Sequence, residues 1–300
     1  MKKLFLPALA GLALLAVVAF GLLSGGELPV LFPHGLIGME ERWLINVTLL
    51  LCALIVVPVF LMLFIFAWKY RASSQTGASK HAPEWDHDSW WTSEFVWWLL
   101  PAAIILALSI LIWQSSRDLD PYKPLVSHQA PITVQVVALD SKWLFMYPEQ
   151  GIASVNMLEF PQDTPIHFEI TADAPMNSFW IPSLGGQIMA MQGMTTELNL
   201  ITNDIGTYEG MSANLSGPGF AGMRFPAKSV SRADFDAWVL ATRQSPSLTS
   251  ETYAALAQPS TYDAPAYFSL PDTSLYTSII MRYMMPRTMD MPHGSAMPSP

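Results

Sequence analysis

The chain has 300 residues, of which 51% are hydrophobic and only 13% are charged, about half the charged share of an ordinary soluble domain. Fifteen Lys and Arg residues against 24 Asp and Glu residues give a formal net charge of −9, which excludes the basic surface that a nucleic-acid partner requires. The single cysteine, Cys52, excludes a disulfide within the chain and a metal site built on two cysteines. The apolar excess therefore indicates a membrane protein.

Residues 1–26 have the pattern of a secretory signal peptide. Two lysines precede an uncharged apolar run from Leu4 to Leu23, and small residues follow it. We predict a cleavable signal peptide over 1–26 and a short exported segment over 27–42. A permanent first span is the alternative, because the apolar run is just long enough to cross a bilayer.

Two further apolar runs, 43–68 and 95–116, predict transmembrane helices. The first has no charged residue, and both are long enough to cross a hydrocarbon core of roughly 30 Å. The connecting loop, 69–94, carries Lys69, Arg71 and Lys80. The excess of positive charge in such loops predicts that this loop is cytoplasmic and that the long C-terminal part lies on the opposite side of the membrane.

A change in character follows the second span. Residues 117–130 contain Pro121 and Pro124, are followed by Pro131, and read as a linker. From 131 to 226 short β-rich runs, such as Ser154–Phe160, alternate with turn residues, which predicts a β-sandwich or barrel. Alternating aromatic residues from Trp143 to Tyr147 are expected in its core.

The last part of the chain differs again. Residues 227–285 are predicted to form a helical extension, with Ser231 as the N-cap of its first helix. The final segment, 286–300, is expected to be disordered. Thioether ligands suit Cu(I), so copper binding at this end of the chain is the alternative. The methionines concerned are Met281, Met284, Met285, Met289, Met291 and Met297, with His293.

Six runs of the sequence are distinctive: Phe66–Arg71, Glu94–Pro101, Ala174–Pro182, Leu184–Gln187, Gly206–Tyr208 and Ser216–Met223. Together they resemble one protein family, subunit II of the haem–copper respiratory oxidases, and within it the bo-type ubiquinol oxidases. This resemblance implies a two-helix transmembrane hairpin followed by a cupredoxin-like Greek-key β-sandwich without copper, in a bacterial inner membrane with the sandwich in the periplasm.

The resemblance also separates two chemical branches of the family. In the branch that oxidises cytochrome c, subunit II holds two copper ions through one loop histidine and a Cys-x-Glu-x-Cys-x-x-x-His-x-x-Met pattern, which supplies the soft ligands that copper prefers. Five of these six ligands are replaced here, and the remaining methionine is expected to be a core side chain. The six positions are Asn177, Ser212, Asn214, Ser216, Phe220 and Met223.

This exchange implies that the subunit is not a copper electron carrier. The resemblance implies a subunit with no redox centre, no catalytic residue and no cofactor of its own, in a complex that takes electrons from ubiquinol and not from cytochrome c. The resemblance places two haems and one copper in subunit I, and it names subunit I, the smaller membrane subunits III and IV, and membrane lipid as partners. The alternatives are a copper-containing cytochrome c oxidase subunit II and a membrane-anchored copper-delivery or binding protein.

Glu94 is the one residue to which the resemblance gives a part in chemistry. It precedes the second span at the predicted cytoplasmic edge. The corresponding glutamate in the family is associated with the mouth of a proton-uptake channel, and a carboxylate at this boundary can collect protons from bulk water. An interfacial acid that reaches the headgroups is the alternative.

Overall fold

The computed structural model describes residues 29–69, 87–125, 127 and 129–284. The predicted signal peptide and the tail from 286 to 300 lie outside these residues. The chain divides into two compact units. The first contains two long helices, and the second contains the sandwich and the C-terminal part together with residues 34–36.

Both predicted spans are helical, and both helices begin earlier than predicted. Helix α1 is Leu36–Lys69 and helix α2 is His87–Asp118, whereas the predicted spans began at residues 43 and 95. An apolar run ends at the first charge, but backbone hydrogen bonds continue a helix through charged residues, and hydropathy therefore marks a span and not the helix ends. The last part of the predicted loop 69–94 is accordingly helical.

The two helices present apolar surfaces. Leu36–Lys69 and Trp97–Asp118 are long and apolar enough to cross a membrane. Their large side chains are exposed in the isolated chain; Leu50 is 71% and Trp98 is 73% exposed. Apolar side chains exposed along most of the described part of a helix suit contact with lipid or with other membrane segments.

The predicted β-sandwich is present as two sheets. The six-stranded sheet has the order β11-β3-β2-β1-β5-β8, and the five-stranded sheet has the order β4-β10-β9-β6-β7. The strands are β1 Ile132–Leu139, β2 Lys142–Tyr147, β3 Ile152–Val155, β4 Leu158–Pro161, β5 Ile166–Ala172, β6 Asn177–Trp180, β7 Gln187–Ala190, β8 Thr196–Leu200, β9 Gly206–Ser212, β10 Arg224–Val230 and β11 Ala266–Ser269.

Aromatic rings fill the space between the sheets. Trp143 and Phe145 of β2 meet Phe179 of β6 and Phe225 of β10, with ring centroids 5.0–6.3 Å apart. All four side chains are fully buried, so the predicted core position of these β2 aromatics is confirmed. Gly210 of β9 lets the Phe225 ring pack directly against the backbone, because a Cβ added at this position would lie 2.1 Å from the ring.

The run Ser154–Phe160 was predicted as one strand, and that prediction is wrong. Asn156 has a φ of 51°, in the left-handed region that Asn tolerates better than most residues. Its side-chain oxygen accepts a hydrogen bond of 2.9 Å from the backbone N–H of Trp143. The turn sends β3 into the six-stranded sheet and β4 into the five-stranded one.

The C-terminal extension, residues 231–284, contains three helices and one strand. Its helices are α3 Arg232–Thr242, α4 Ser250–Leu256 and α5 Leu275–Met284, and its strand is β11. The predicted boundary at residue 226 is wrong because β10 continues to Val230, and the segment is not helical throughout. Ser231 caps α3 as predicted: its Oγ accepts a hydrogen bond of 3.2 Å from the Asp234 N–H.

This extension covers the outer face of the six-stranded sheet, which explains why every residue of β2 is buried. Strands of the sheet and elements of the extension contribute equally to one apolar cluster. Its members are Val137, Leu139, Leu144, Met146, Ala153 and Val155 from the sheet, and Leu248, Tyr253, Leu270, Leu275, Tyr276 and Ile279 from the extension.

Candidate functional site

The six positions that the resemblance assigns to copper ligands lie in two loops at one end of the five-stranded sheet, or at the strand ends directly next to these loops. The first loop, residues 173–176, leads from β5 into β6 and ends next to Asn177. The second loop, residues 213–223, connects β9 to β10. Because β6 and β9 are antiparallel neighbours, with Phe179 opposite Ser212, both loops emerge at the same end of the sheet.

Hydrogen bonds join the two loops directly. The Ser212 hydroxyl donates to the Asn177 side-chain oxygen at 3.0 Å, and the Asn214 side-chain amide donates to the Met176 carbonyl at 2.9 Å. Asn177 also donates its own side-chain amide to the Pro175 carbonyl at 2.8 Å. Asn177 and Ser212 are buried, so these bonds satisfy polar groups that water does not reach.

The other three positions lie along the second loop. Phe220 begins a short 3₁₀ turn, and the Met223 N–H donates to its carbonyl at 3.0 Å. The Met223 side chain is 1% exposed and is therefore a core residue, as predicted. Its sulfur lies 3.8 Å from the Ser216 hydroxyl. The Trp143 indole N–H reaches the Met223 carbonyl at 3.4 Å, which ties this loop to β2.

The donor set at these positions does not fit a pair of copper ions. It offers hydroxyls, carboxamides, one phenyl ring and one thioether, without the thiolates and imidazoles that hold copper. The amide groups of Asn177 and Asn214 are already engaged in hydrogen bonds to backbone carbonyls. In the part of the chain that the structure describes, no group of three or more His, Cys, Asp or Glu residues is placed to hold a metal ion.

Asp173, a residue of the first loop with a buried carboxylate, was not predicted from the sequence. The side chain of Asp173 is 5% exposed and accepts hydrogen bonds from the Tyr253 hydroxyl at 2.5 Å and the Tyr283 hydroxyl at 2.6 Å. Arg282 forms an ion pair with it at 3.0 Å. Burial raises the pKa of Tyr253, and the hydrogen bond to Asp173 and the charge of Asp173 raise it further. The position of Asp173, one residue before the run that begins at Ala174, was the only local signal.

The buried Lys142 was likewise not predicted from the sequence. The Lys142 side chain is 5% exposed, and its ammonium group lies 2.9 Å from Asp263 and 3.2 Å from the Gln258 carbonyl. Burial alone would raise the pKa of Asp263, but hydrogen bonds from Ser260 and Lys142 and the charge of Lys142 lower it. A lysine within an aromatic strand pattern was the signal that could have predicted a buried ion pair.

Glu94 lies within helix α2, which begins at His87, and not in the predicted loop before it. Its side chain is half-buried. Glu94 belongs to the helical unit, and the six positions in the two loops belong to the sandwich unit.

Known proteins match the chain over most of its length. Residues 243–287 match the family described as the COX Aromatic Rich Motif. The chain is 46% identical over 275 residues to cytochrome bo(3) ubiquinol oxidase subunit 2 of Pseudomonas aeruginosa, covering 91% of this chain and 82% of that protein. It is 43% identical over 276 residues to ubiquinol oxidase subunit 2 of Acetobacter aceti, covering 91% and 88%.

A solved structure of the periplasmic domain of cytochrome oxidase subunit II from Bradyrhizobium japonicum is 22% identical, with a TM-score of 0.36, and covers 39% of this chain and 96% of that one. The curated relatives favour the ubiquinol oxidase interpretation over the copper-containing cytochrome c oxidase subunit and the copper-delivery protein. The chain is 46% identical, over 91% of its own length, to a ubiquinol oxidase subunit 2, and it therefore belongs to the ubiquinol oxidase subunit 2 family.

Proposed function

We propose that this subunit serves a proton-pumping bo-type ubiquinol oxidase without carrying electrons itself. The observation that carries the proposal is the hydrogen-bonded pair of loops at the copper-ligand positions, where Ser212 and Asn177 bond each other. Electrons from a water-soluble carrier would need a metal centre here, and this donor set does not suit one. Ubiquinol, dissolved in the membrane, is then the reductant, and dioxygen is reduced to water.

The redox groups of the complex, two haems and one copper, are assigned to subunit I. Support for this assignment comes from the resemblance and from the names of the relatives, which are ubiquinol oxidase subunits. The exposed apolar side chains of α1 and α2 suit packing against subunit I, against the smaller subunits III and IV, and against lipid. This chain's part is then to bind subunit I and to cover it on the outer side.

The proposed orientation places the sandwich in the periplasm of a bacterium and the loop 69–94 in the cytoplasm. Lys69, Arg71 and Lys80 support it through the positive-inside rule. A signal peptide over 1–26 would lead to the same orientation. Glu94 would then lie near the cytoplasmic surface, where its carboxylate could pass protons toward subunit I.

Two measurements on the purified complex test this function. Oxygen uptake is measured with ubiquinol and with reduced cytochrome c as alternative donors, and the copper-to-haem ratio is determined by elemental analysis. We expect uptake with ubiquinol alone, and one copper for every two haems. Uptake driven by cytochrome c, or additional copper that stays with this subunit when subunit I is removed, would contradict the proposal.

A further inference from the structure

The C-terminal extension contacts the first loop through a buried carboxylate. Tyr253 of α4 and Tyr283 of α5 donate hydrogen bonds to Asp173, and Arg282 pairs with it. One loop residue therefore accepts three charge-assisted contacts from two separate helices of the extension. Bonds of this kind are stronger than those between neutral groups, and a buried carboxylate with fewer partners would be costly.

The same extension contacts the second loop through close backbone approaches. A Cβ added at Gly219 would lie 2.9 Å from the methyl carbon of Thr261. At Gly222 a Cβ would lie 2.9 Å from the Tyr262 ring. The second loop therefore lies against residues 261–262 at distances that only glycine permits. Tyr262 itself has a φ of 59°, a left-handed conformation that a non-glycine residue keeps only when its surroundings impose it.

The segment that touches the second loop is itself held firmly to the sandwich. Asp263 pairs with the buried Lys142 of β2 at 2.9 Å, and its carbonyl accepts a hydrogen bond of 3.0 Å from the Asn156 side chain. The Ser141 hydroxyl donates to the Pro218 carbonyl of the second loop at 2.9 Å. Residues 261–262 thus lie next to Gly219 and Gly222, directly before a residue that is anchored to the sandwich.

These contacts connect the first loop, the second loop and the C-terminal extension to one another. The first loop is bonded to the second through Ser212 with Asn177 and through Asn214 with Met176, and each loop is also held by a different part of the extension. Ordering a loop costs backbone entropy for every residue that is fixed, and a metal shared by two loops is one way to offset that cost.

We propose that the C-terminal extension braces the two loops and positions them in the way that a shared metal would otherwise do. This inference rests on the proposed function, in which no metal occupies the loops. The segment 243–287, which matches the aromatic-rich motif, then has a specific task beyond covering the apolar face of the six-stranded sheet: its polar and aromatic residues at 253, 262 and 283 set the conformation of residues 173–176 and 213–223.

Hydrogen exchange of the intact oxidase complex tests the link to the first loop. The double variant Tyr253→Phe/Tyr283→Phe keeps both rings and removes both hydroxyls, so the fold is expected to persist. Tyr276→Phe is the matched control, because the Tyr276 hydroxyl contacts Thr195 outside both loops. The readout is the exchange of the Asp173 amide in the first loop, which donates to the Ala138 carbonyl, and of the Ala213 amide in the second loop, which donates to the Ser178 carbonyl.

We expect exchange of these amides to be at least about tenfold faster in the double variant, because the loss of even one hydrogen bond to a charged group has an effect of this size, and unchanged in Tyr276→Phe. Equal exchange in the double variant and the parent would overturn the brace. Equal acceleration in the control would also overturn it, because the effect would then come from general loosening of the helix.

A steric test addresses the second loop independently. Gly222→Ala should displace the Tyr262 ring and speed exchange of the Met223 amide, while the added Tyr262→Ala change should remove the clash and restore slow exchange. No acceleration in Gly222→Ala, or no restoration in the double variant, would overturn the inference. Copper analysis of the parent complex separates the two proposals. Copper retained by this subunit would contradict the proposed function. If this subunit holds no copper and the variants leave amide exchange unchanged, only the proposal that the extension braces the loops is contradicted.

Discussion

The Ser212 hydroxyl donates a hydrogen bond of 3.0 Å to the side-chain oxygen of Asn177, 35 positions earlier in the chain. The same hydroxyl oxygen lies 3.2 Å from the Asn214 carbonyl. Both side chains are buried, at 5% and 1% exposure. The two positions assigned to a cysteine and a histidine ligand by resemblance are therefore occupied by a matched donor and acceptor, which stabilise the loop pair without a metal.

Loss of the Ser212 hydroxyl should destabilise the loops. In Ser212→Ala the Asn177 oxygen remains buried without this donor, and we expect a loss of about 1–3 kcal/mol. The measurement is the thermal inactivation temperature of quinol-driven oxygen uptake by the complex. Ser216→Ala is the control, since its hydroxyl makes only a 3.8 Å contact with the Met223 sulfur. A larger effect in the control than in Ser212→Ala would contradict this account.

The buried pair of Lys142 and Asp263 should respond unequally to removal of its two members. Asp263→Asn leaves an ammonium group that is 5% exposed without its counter-charge, and we expect a loss of about 3 kcal/mol. Lys142→Met should cost less, because Asp263 is 33% exposed and water can solvate it. Chemical denaturation of the purified subunit, followed by tryptophan fluorescence, compares the two. Equal losses would show that burial does not govern the pair.

Glu159 should make stability depend on pH. Burial raises the pKa of this carboxyl, the charge of Lys228 lowers it, and the charge of Asp234 raises it, with a net increase. A carboxyl whose pKa is higher in the folded than in the unfolded state contributes stability below its ordinary pKa, and this contribution is lost as the pH rises through the folded-state value.

Glu159→Gln should therefore raise the melting temperature at neutral pH and leave it almost unchanged in acid. The measurement is a series of thermal unfolding curves from acidic to neutral pH. Glu209→Gln serves as the comparison, because Glu209 is exposed and pairs with Arg224 at the surface. If both variants changed the melting temperature by the same amount at neutral pH, burial of Glu159 would not be the cause.

The proposed proton-entry role of Glu94 predicts a defect in turnover without a defect in assembly. Glu94→Ala should slow quinol-driven oxygen uptake by about tenfold, the effect of 1.4 kcal/mol on a rate-limiting step, while haem content stays the same. Glu40→Ala, on helix α1, is the control and should keep the parent rate. Unchanged turnover in Glu94→Ala would leave the residue with a structural role at the membrane surface.

Features that depend on residues close together in the chain could be predicted from the sequence. A turn that interrupts a continuous run of β-favouring residues could not. Ser231 was predictable as an N-cap because it bonds a residue three positions later. The turn at Asn156 was missed because β-favouring residues continue on both sides of it, so that the apolar pattern indicated one strand. Its left-handed conformation depends on the Trp143 N–H, which comes from another strand.

The sequence by itself predicted two long apolar helices and the sandwich that follows them, because hydropathy is a property of the residues alone. The resemblance to a known family added the replacement of five of six copper ligands. Only the tertiary structure decided what fills the altered loops. Asp173 meets Tyr283 across 110 positions, and Lys142 meets Asp263 across the sandwich surface. The order of the strands and the path of the extension create these contacts, and no local periodicity records such pairings.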